Sequence, residues 1–222
     1  MTQARRNAAE AARIVVESGA IYMRSTGDPF FFTSGWASPI FVDIKRLVSL
    51  PGARDALIAM SLERIAAAFS AGSFDMVAAC EVAGIPFAAI IADRLGLPLV
   101  VVRKQSKGFG RLAQFEGTFE PGIRALMIDD LATDGVSKAT FRAALERAEA
   151  HVVGTFVLMD YAIFASPIPL TSLTTLADVI AAIGEHLDQR ALQDVKSFAS
   201  DPPAWSKRNG GIGALPQSMR PA

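Results

Sequence analysis

The chain has 222 residues, 51% of them apolar, with 22 basic and 22 acidic side chains and one cysteine. That length supports one well-buried core. The charge balance excludes a generally basic surface for nucleic acid or membrane, and the lone Cys80 excludes an intrachain disulfide, which suits a reducing cytoplasm.

Met1 to Ala12 has no apolar segment of the secretory kind, and no apolar run reaches the ~18 residues of a membrane span, so neither is expected. Gln3 to Ser18 has helical spacing, with Ile14, Val15 and neighbouring alanines inward and Gly19 as the stop. Ile40 to Asp43 predicts a short strand. A helix follows Pro51, with Leu57, Ile58, Leu62, Ile65 and Phe69 at helical intervals. From Phe74 onward strands and helices alternate: strand Asp75–Cys80, helix Pro86–Leu95, strand Leu99–Val102, strand Arg124–Ile128, helix Ser137–Glu149, strand Val152–Met159. Short apolar strands alternating with helices of ~10–13 residues predict an α/β fold with a mostly parallel, twisted sheet flanked by helices. Two more helices are expected at about Leu176–His186 and Asp188–Ser200. Asp201–Ala222 reads as a proline-containing tail pinned by Trp205, with its last residues disordered. One domain over 1–222 is expected, including a small hood at about residues 20–50.

In parallel sheets ligands bind beyond the carboxyl ends of the strands. The segments to search therefore follow Cys80, Val102, Asp130 and Met159. The first signal is the run from Ala125 to Ser137, where an apolar strand ends in Asp129-Asp130. A loop of Leu131, Ala132, Thr133, Asp134, Gly135 and Val136 leads to a helix at Ser137. Backbone N–H groups at a helix start bind anions, glycine permits a tight turn, and the carboxylates can hold ribose hydroxyls directly or through hydrated Mg²⁺. An ordinary strand-to-helix turn with a serine cap has the same sequence.

The second signal is a positive loop. Between Asp93 and Glu116 every charge is basic: Arg94, Arg103, Lys104, Lys107 and Arg111. A glycine-containing loop of this kind can close over a polyanion, although a solvated basic loop is common. The third is Phe31 to Asp43, whose aromatics and Ser-Gly and Ser-Pro pieces suit a hood over a flat base or an apolar hairpin on the core. The fourth, Glu81-Val-Ala-Gly-Ile-Pro86, can present N–H groups to a second anion or be a plain turn. His151 and His186 lack metal-ligand spacing, and Cys80 reads as a small buried residue.

In this order the four segments resemble the orotate phosphoribosyltransferases, type I phosphoribosyltransferases, from about Ile21 to Gly211. The stretch Asp129–Ser137 is similar to the superfamily's motif for 5-phosphoribosyl 1-diphosphate (PRPP). Ser34-Gly35, Ser38-Pro39 and the Arg103-Lys104…Lys107-Gly-Phe-Gly loop are similar to the orotate branch, and the Ala204–Gly211 run resembles the tails of bacterial members. The resemblance implies the type I fold, transfer of phosphoribose from PRPP to orotate in UMP synthesis, a cytoplasmic enzyme, and Mg²⁺ carried by PRPP near Asp129 and Asp130 with no direct protein site. It implies catalytic roles for Lys104, Lys107, Asp129 and Asp130. PRPP would touch Arg103, Lys104, Lys107 and the run Asp129, Asp130, Leu131, Ala132, Thr133, Asp134, Gly135, Val136 and Ser137. Orotate would meet Thr133, Phe41 and Tyr161. A homodimer sharing the mobile loop 103–117 is implied, with no nucleic-acid or membrane partner.

The chain departs from the family pattern at five positions. Asp134 and Val136 stand where smaller residues are usual, Phe109 where histidine is frequent, Ala83 where lysine is common, and Tyr161 where an arginine often meets orotate. A carboxylate ~5 Å from a phosphate costs roughly 3 kcal/mol per charge pair at an effective dielectric of ~20. A second reading therefore stands beside the enzyme: a catalytically impaired homologue that binds ligand or regulates.

Overall fold

The computed structural model describes residues 1–24, 26–183 and 189–216. Helix α1 (Gln3–Glu17) starts where the Thr2 hydroxyl accepts the Arg5 N–H, and it buries Ala11, Ala12 and Val15. Two small antiparallel ribbons follow. Strand β1 (Ile21–Met23) pairs with β4 (Ile40–Val42), and β2 (Phe30–Phe31) pairs with β3 (Ala37–Ser38). They form the expected hood; three of the four strands were not predicted, being only two or three residues long. Helix α2 (Pro51–Ala68) begins on a proline, which has no N–H to leave unsatisfied. It stops one residue short of the predicted stripe: Phe69 is extended, and its ring covers Gly154, where a Cβ would overlap it.

The central sheet contains β5 (Met76–Cys80), β6 (Leu99–Val102), β7 (Phe115–Glu116), β8 (Arg124–Ala132), β9 (His151–Asp160) and β10 (Thr171–Thr175), in the order β10-β9-β8-β5-β6-β7. Every pairing is parallel except β6 with β7. Helices α3 (Gly84–Leu95) and α4 (Val136–Arg147) make the β5-to-β6 and β8-to-β9 connections. Strand alternation sorts the core into two faces. Val77, Ala79, Leu126 and Ile128 meet α1, α2 and α3, while Met76, Ala78, Cys80, Ala125 and Met127 meet Phe141, Ala144 and Leu145 of α4.

Strand β8 is longer than predicted. It leaves β5 after Ile128 but stays paired with β9 through Ala132, so both acids lie on extended chain. Beyond β10, helix α5 (Leu176–Ile183) packs beside the edge strand, and helix α6 (Gln189–Ser200) packs on α5 and the hood strand β1. The expected Leu176–His186 helix is described as far as Ile183; its remainder, with His186, lies outside the described residues, as does the end of the predicted tail. From Asp201 to Pro216 the chain is not a loose tail. Asp201 caps α7 (Pro202–Arg208), and Trp205 is buried with its Nε1 donating to Asp194 at 2.8 Å. The segment then folds onto the hood: Ala37 N–H donates to Ser206 Oγ and Ile212 N–H to the Gly35 carbonyl.

Candidate active site

The chain runs from β5 to one side of the sheet and from β8 to the other, so a crevice opens between their carboxyl ends, where such sheets take ligands. A cleft of about 650 Å³ lies there. Its floor is Asp129, Asp130 and Leu131 of β8. One wall is the turn with Thr133, Asp134, Val136 and Ser137, opening into α4. The other is Glu81, Val82 and Ala83 after β5, and Phe31, Phe32, Thr33, Ser34 and Phe41 of the hood form the roof.

The two acids are not equivalent. Asp129 lies on the α4 face, as Met127 does, and is 5% exposed. Its Oδ1 accepts the Asp130 N–H at 2.9 Å, and its Oδ2 pairs with Lys138 Nζ at 2.7 Å. Asp130, the next residue along the strand, stays partly open, with its carboxyl near that of Asp129. Burial pushes its carboxyl up to about 7, the neighbouring Asp129 charge acts in the same direction, and Lys138 opposes both. Cys80 is fully buried beneath them, and burial pushes its thiol well up, which disfavours the reactive thiolate.

The turn after β8 is built around Gly135, which takes φ +73 as the residue before α4. Asp134 lines the cleft, but only one of its oxygens is bonded; Oδ2 is buried with no hydrogen-bond partner among the described residues. The residue is 4% exposed, and its Oδ1 accepts the Val136 N–H at 3.1 Å. The carboxylate thus caps the first amide of α4.

Of the positive loop, only Lys104 lines the cleft. Arg103 pairs with Glu116 at 2.6 Å, and the loop folds on itself through Arg103 N–H to Gln114 O and Lys107 N–H to Ala113 O. Arg111 is a strut rather than a ligand cation, donating to the Ala148 and Phe119 carbonyls. At the base of the loop, Glu81 Oε2 accepts the Lys104 N–H at 2.6 Å. Phe109 at the tip is fully exposed.

Tyr161 is a correction to the sequence expectation. It is 1% exposed and outside the cleft wall. Its ring meets Phe32 edge-on at 5.3 Å, and its hydroxyl donates to the Ile40 carbonyl at 3.3 Å. It therefore supports the hood from behind. Phe41 and Thr133 do line the cleft, as expected of residues near a flat base. Cleft-lining residues missing from the sequence-derived set are Phe31, Phe32, Thr33, Ser34, Glu81, Val82, Ala83, Lys138, Thr140 and Phe141. All but Lys138, Thr140 and Phe141 lie in segments singled out for their composition. For Lys138 the only local signal was a cation in the first turn of a helix, where the dipole disfavours it.

Four carboxylates (Glu81, Asp129, Asp130, Asp134) and two ammonium groups (Lys104, Lys138) line the cleft among the described residues. No group of three or more His, Cys, Asp or Glu able to hold a metal is found among them. A divalent cation arriving with a polyanionic ligand would offset this excess of acid, so the donor set fits such a metal.

An acidic strand end under a glycine turn and a helix start, in the crevice of a parallel sheet, is a site of the phosphoribosyltransferase class, and a phosphoribosyl transferase domain matches residues 44–188. The orotate phosphoribosyltransferase of Agrobacterium fabrum is 41% identical over 219 residues, 93% of each chain, and that of Sinorhizobium fredii 38% identical over 214 residues, 92% of each. The solved orotate phosphoribosyltransferase of Aeropyrum pernix superposes with a TM-score of 0.67 at 28% identity, covering 78% of this chain and 97% of that one. The chain belongs to the orotate phosphoribosyltransferase family.

Proposed function

We propose that the chain transfers the phosphoribosyl group of PRPP to orotate, giving orotidine 5′-phosphate and pyrophosphate on the route to UMP. The observation that carries this is the meeting, in one cleft, of Asp130, the Thr133–Ser137 turn, Lys104 and the aromatic hood. The 5′-phosphate lies on the turn, where the amides of α4 after Val136 face it. The ribose hydroxyls lie against Asp130. The diphosphate points toward Lys104, and closure of the loop adds Lys107 and Arg103. Orotate slides under Phe31, Phe32 and Phe41 beside Thr133, its ring held flat so that N1 lies in line with C1′. The C1′–oxygen bond to diphosphate breaks, the N1–C1′ bond forms, and N1 gives up its proton. Asp130 would lie nearest a Mg²⁺ carried in by PRPP, which would supply charge neutralisation for the departing diphosphate. The protein's own share is to exclude water and to aim fixed charges at the separating groups.

The reading as an impaired homologue rested on Asp134, Val136 and Tyr161. The bond from the Val136 N–H to Asp134 Oδ1 supports the active reading, because it gives one oxygen of that carboxylate a structural role in the turn, while Oδ2 stays unpartnered in the wall. The lone buried cysteine and the soluble chemistry of both substrates support a cytoplasmic setting. Mixing the purified chain with orotate, PRPP and Mg²⁺ and following orotate absorbance tests the function; no turnover at high enzyme concentration, with no thermal stabilisation by PRPP-Mg²⁺, would reject it.

The working unit is a homodimer in which loop 103–117 of one copy closes the site of the other. The exposure of Phe109 and the absence of Arg103 and Lys107 from their own cleft wall support this. Lys107→Ala and Asp130→Asn should each be nearly inactive alone. If the loop crosses, subunit exchange between them restores about a quarter of wild-type activity, because one site in four regains both groups. Activity that stays at the level of the separate variants after exchange rejects the crossing.

A further inference from the structure

Lys138 has no role in the account above, yet it is the costliest residue in the cleft to place. It sits in the first turn of α4, where the helix dipole disfavours a cation, and is 6% exposed, whereas lysines are almost always at the surface. Burial alone would push its ammonium down; the Asp129 carboxylate more than offsets this and holds it charged. Its Nζ reaches two partners, Asp129 Oδ2 at 2.7 Å and Ser137 Oγ at 3.3 Å. It thus ties the floor of the ribose site to the turn proposed for the phosphate.

Asp129 is consequently held at both oxygens. One oxygen holds Lys138 and the other the Asp130 N–H, and Gly84 of α3 closes off the remaining side, since a Cβ there would lie 2.6 Å from Oδ1. We infer that Lys138 is the positioning residue of the phosphoribosyl site: it locks Asp129 into the wall as a neutral pair, so that Asp129 orients the Asp130 backbone and with it the carboxylate offered to the sugar hydroxyls. This rests on PRPP being the ligand. The pair also removes one of the cleft's uncompensated negative charges before the polyanion enters.

Three full-length variants test it: Lys138→Met, Asp129→Asn and the two combined. Dissociation constants for PRPP-Mg²⁺ and for orotate are measured by calorimetry, with unfolding temperature as the folding readout. Lys138→Met leaves a buried charge unpaired, so it lowers the unfolding temperature and weakens PRPP by ~10-fold or more, with orotate within about twofold. The double variant carries no unpaired charge and recovers most of the unfolding temperature, but its PRPP affinity stays at least ~10-fold weak, because the amide at position 129 has lost the Lys138 anchor that fixes its hold on the Asp130 backbone. If the double variant recovers PRPP affinity along with stability, or if Lys138→Met binds PRPP as the wild type does, the pair is only a structural plug and the inference is overturned. Should Lys138→Met fail to fold, the double variant decides alone. A wild-type chain that binds no PRPP removes the functional reading and this inference together; wild-type binding with an unaffected double variant removes the inference only.

Discussion

Asp130→Asn should lower kcat/KM for PRPP by roughly 10²–10³-fold, the effect of removing one preorganised polar group from a transition-state site. The loss should fall on kcat as well as on binding. The side chain faces the ring whose positive charge grows as the diphosphate leaves, so its anionic form is worth most in the transition state. A kcat within twofold of wild type would show that Asp130 does not face the reacting sugar. The same residue sets a pH dependence whose sign follows from its raised pKa. Its ordinary value is 3.8 and burial lifts it to about 7. A carboxyl raised on folding contributes stability that is complete below 3.8 and is lost as pH climbs through about 7. The unliganded protein should therefore lose stability between about pH 4 and 7 relative to Asp130→Asn, which lacks this titration. PRPP affinity should move the opposite way, strengthening up to about pH 7 and then levelling, because the ionised carboxylate accepts the ribose hydroxyls. Melting curves and calorimetry across that range check both signs; a wild type that stabilises with rising pH, relative to the variant, contradicts the assignment.

How much of this was legible in the sequence depends on whether local chemistry or a distant partner decided each feature. Strand β6 matches its predicted bounds because Pro98 and the basic loop punctuate an apolar run on both sides. Strand β8 was cut short at Ile128 because aspartates are poor strand formers. Only pairing with β9, from Asp129 opposite Val157 to Ala132 opposite Asp160, keeps them extended. Strand β10 escaped notice because Thr171–Thr175 carries a single leucine among threonines and serine, too little apolar pattern to mark a strand. The hood, the acidic pair and the turn could be found as segments, since their residue types are matched to aromatic, hydroxyl and phosphate partners. Side-chain direction could not. Tyr161 stands at the end of β9, beside the cleft, but Phe32 and the Ile40 carbonyl draw it into the core. Asp134 looked like a pure liability until the structure showed its Oδ1 accepting the Val136 N–H. Lys138 is nine positions from Asp129, and only the return of α4 beneath β8 brings the two together.

The turn itself offers the second large effect. Gly135→Ala should weaken PRPP binding by at least ~10-fold and destabilise the fold by roughly 1–3 kcal/mol, the cost of holding a non-glycine residue in a sparsely populated backbone region. Gly135 is at φ +73, which a side chain rarely tolerates, and an added Cβ would overlap Ser166 Oγ while lying 3.0 Å from Ser166 Cβ and 3.2 Å from Pro167 Cδ. The hydroxyl could rotate, but it is engaged with the Ile168 carbonyl at 2.7 Å, and the proline ring cannot yield without moving its loop. The turn must then shift, and with it the Thr133 to Ser137 cradle. Strain and crowding can be separated. Adding Ser166→Ala removes the overlapping oxygen but leaves both the backbone angle and the Pro167 contact. Melting temperature should therefore recover only in part, and PRPP affinity hardly at all, because the orientation of the turn's amides is fixed by that angle. Full recovery of both by Ser166→Ala would mean that crowding alone was at fault and that the left-handed turn is dispensable for the phosphate.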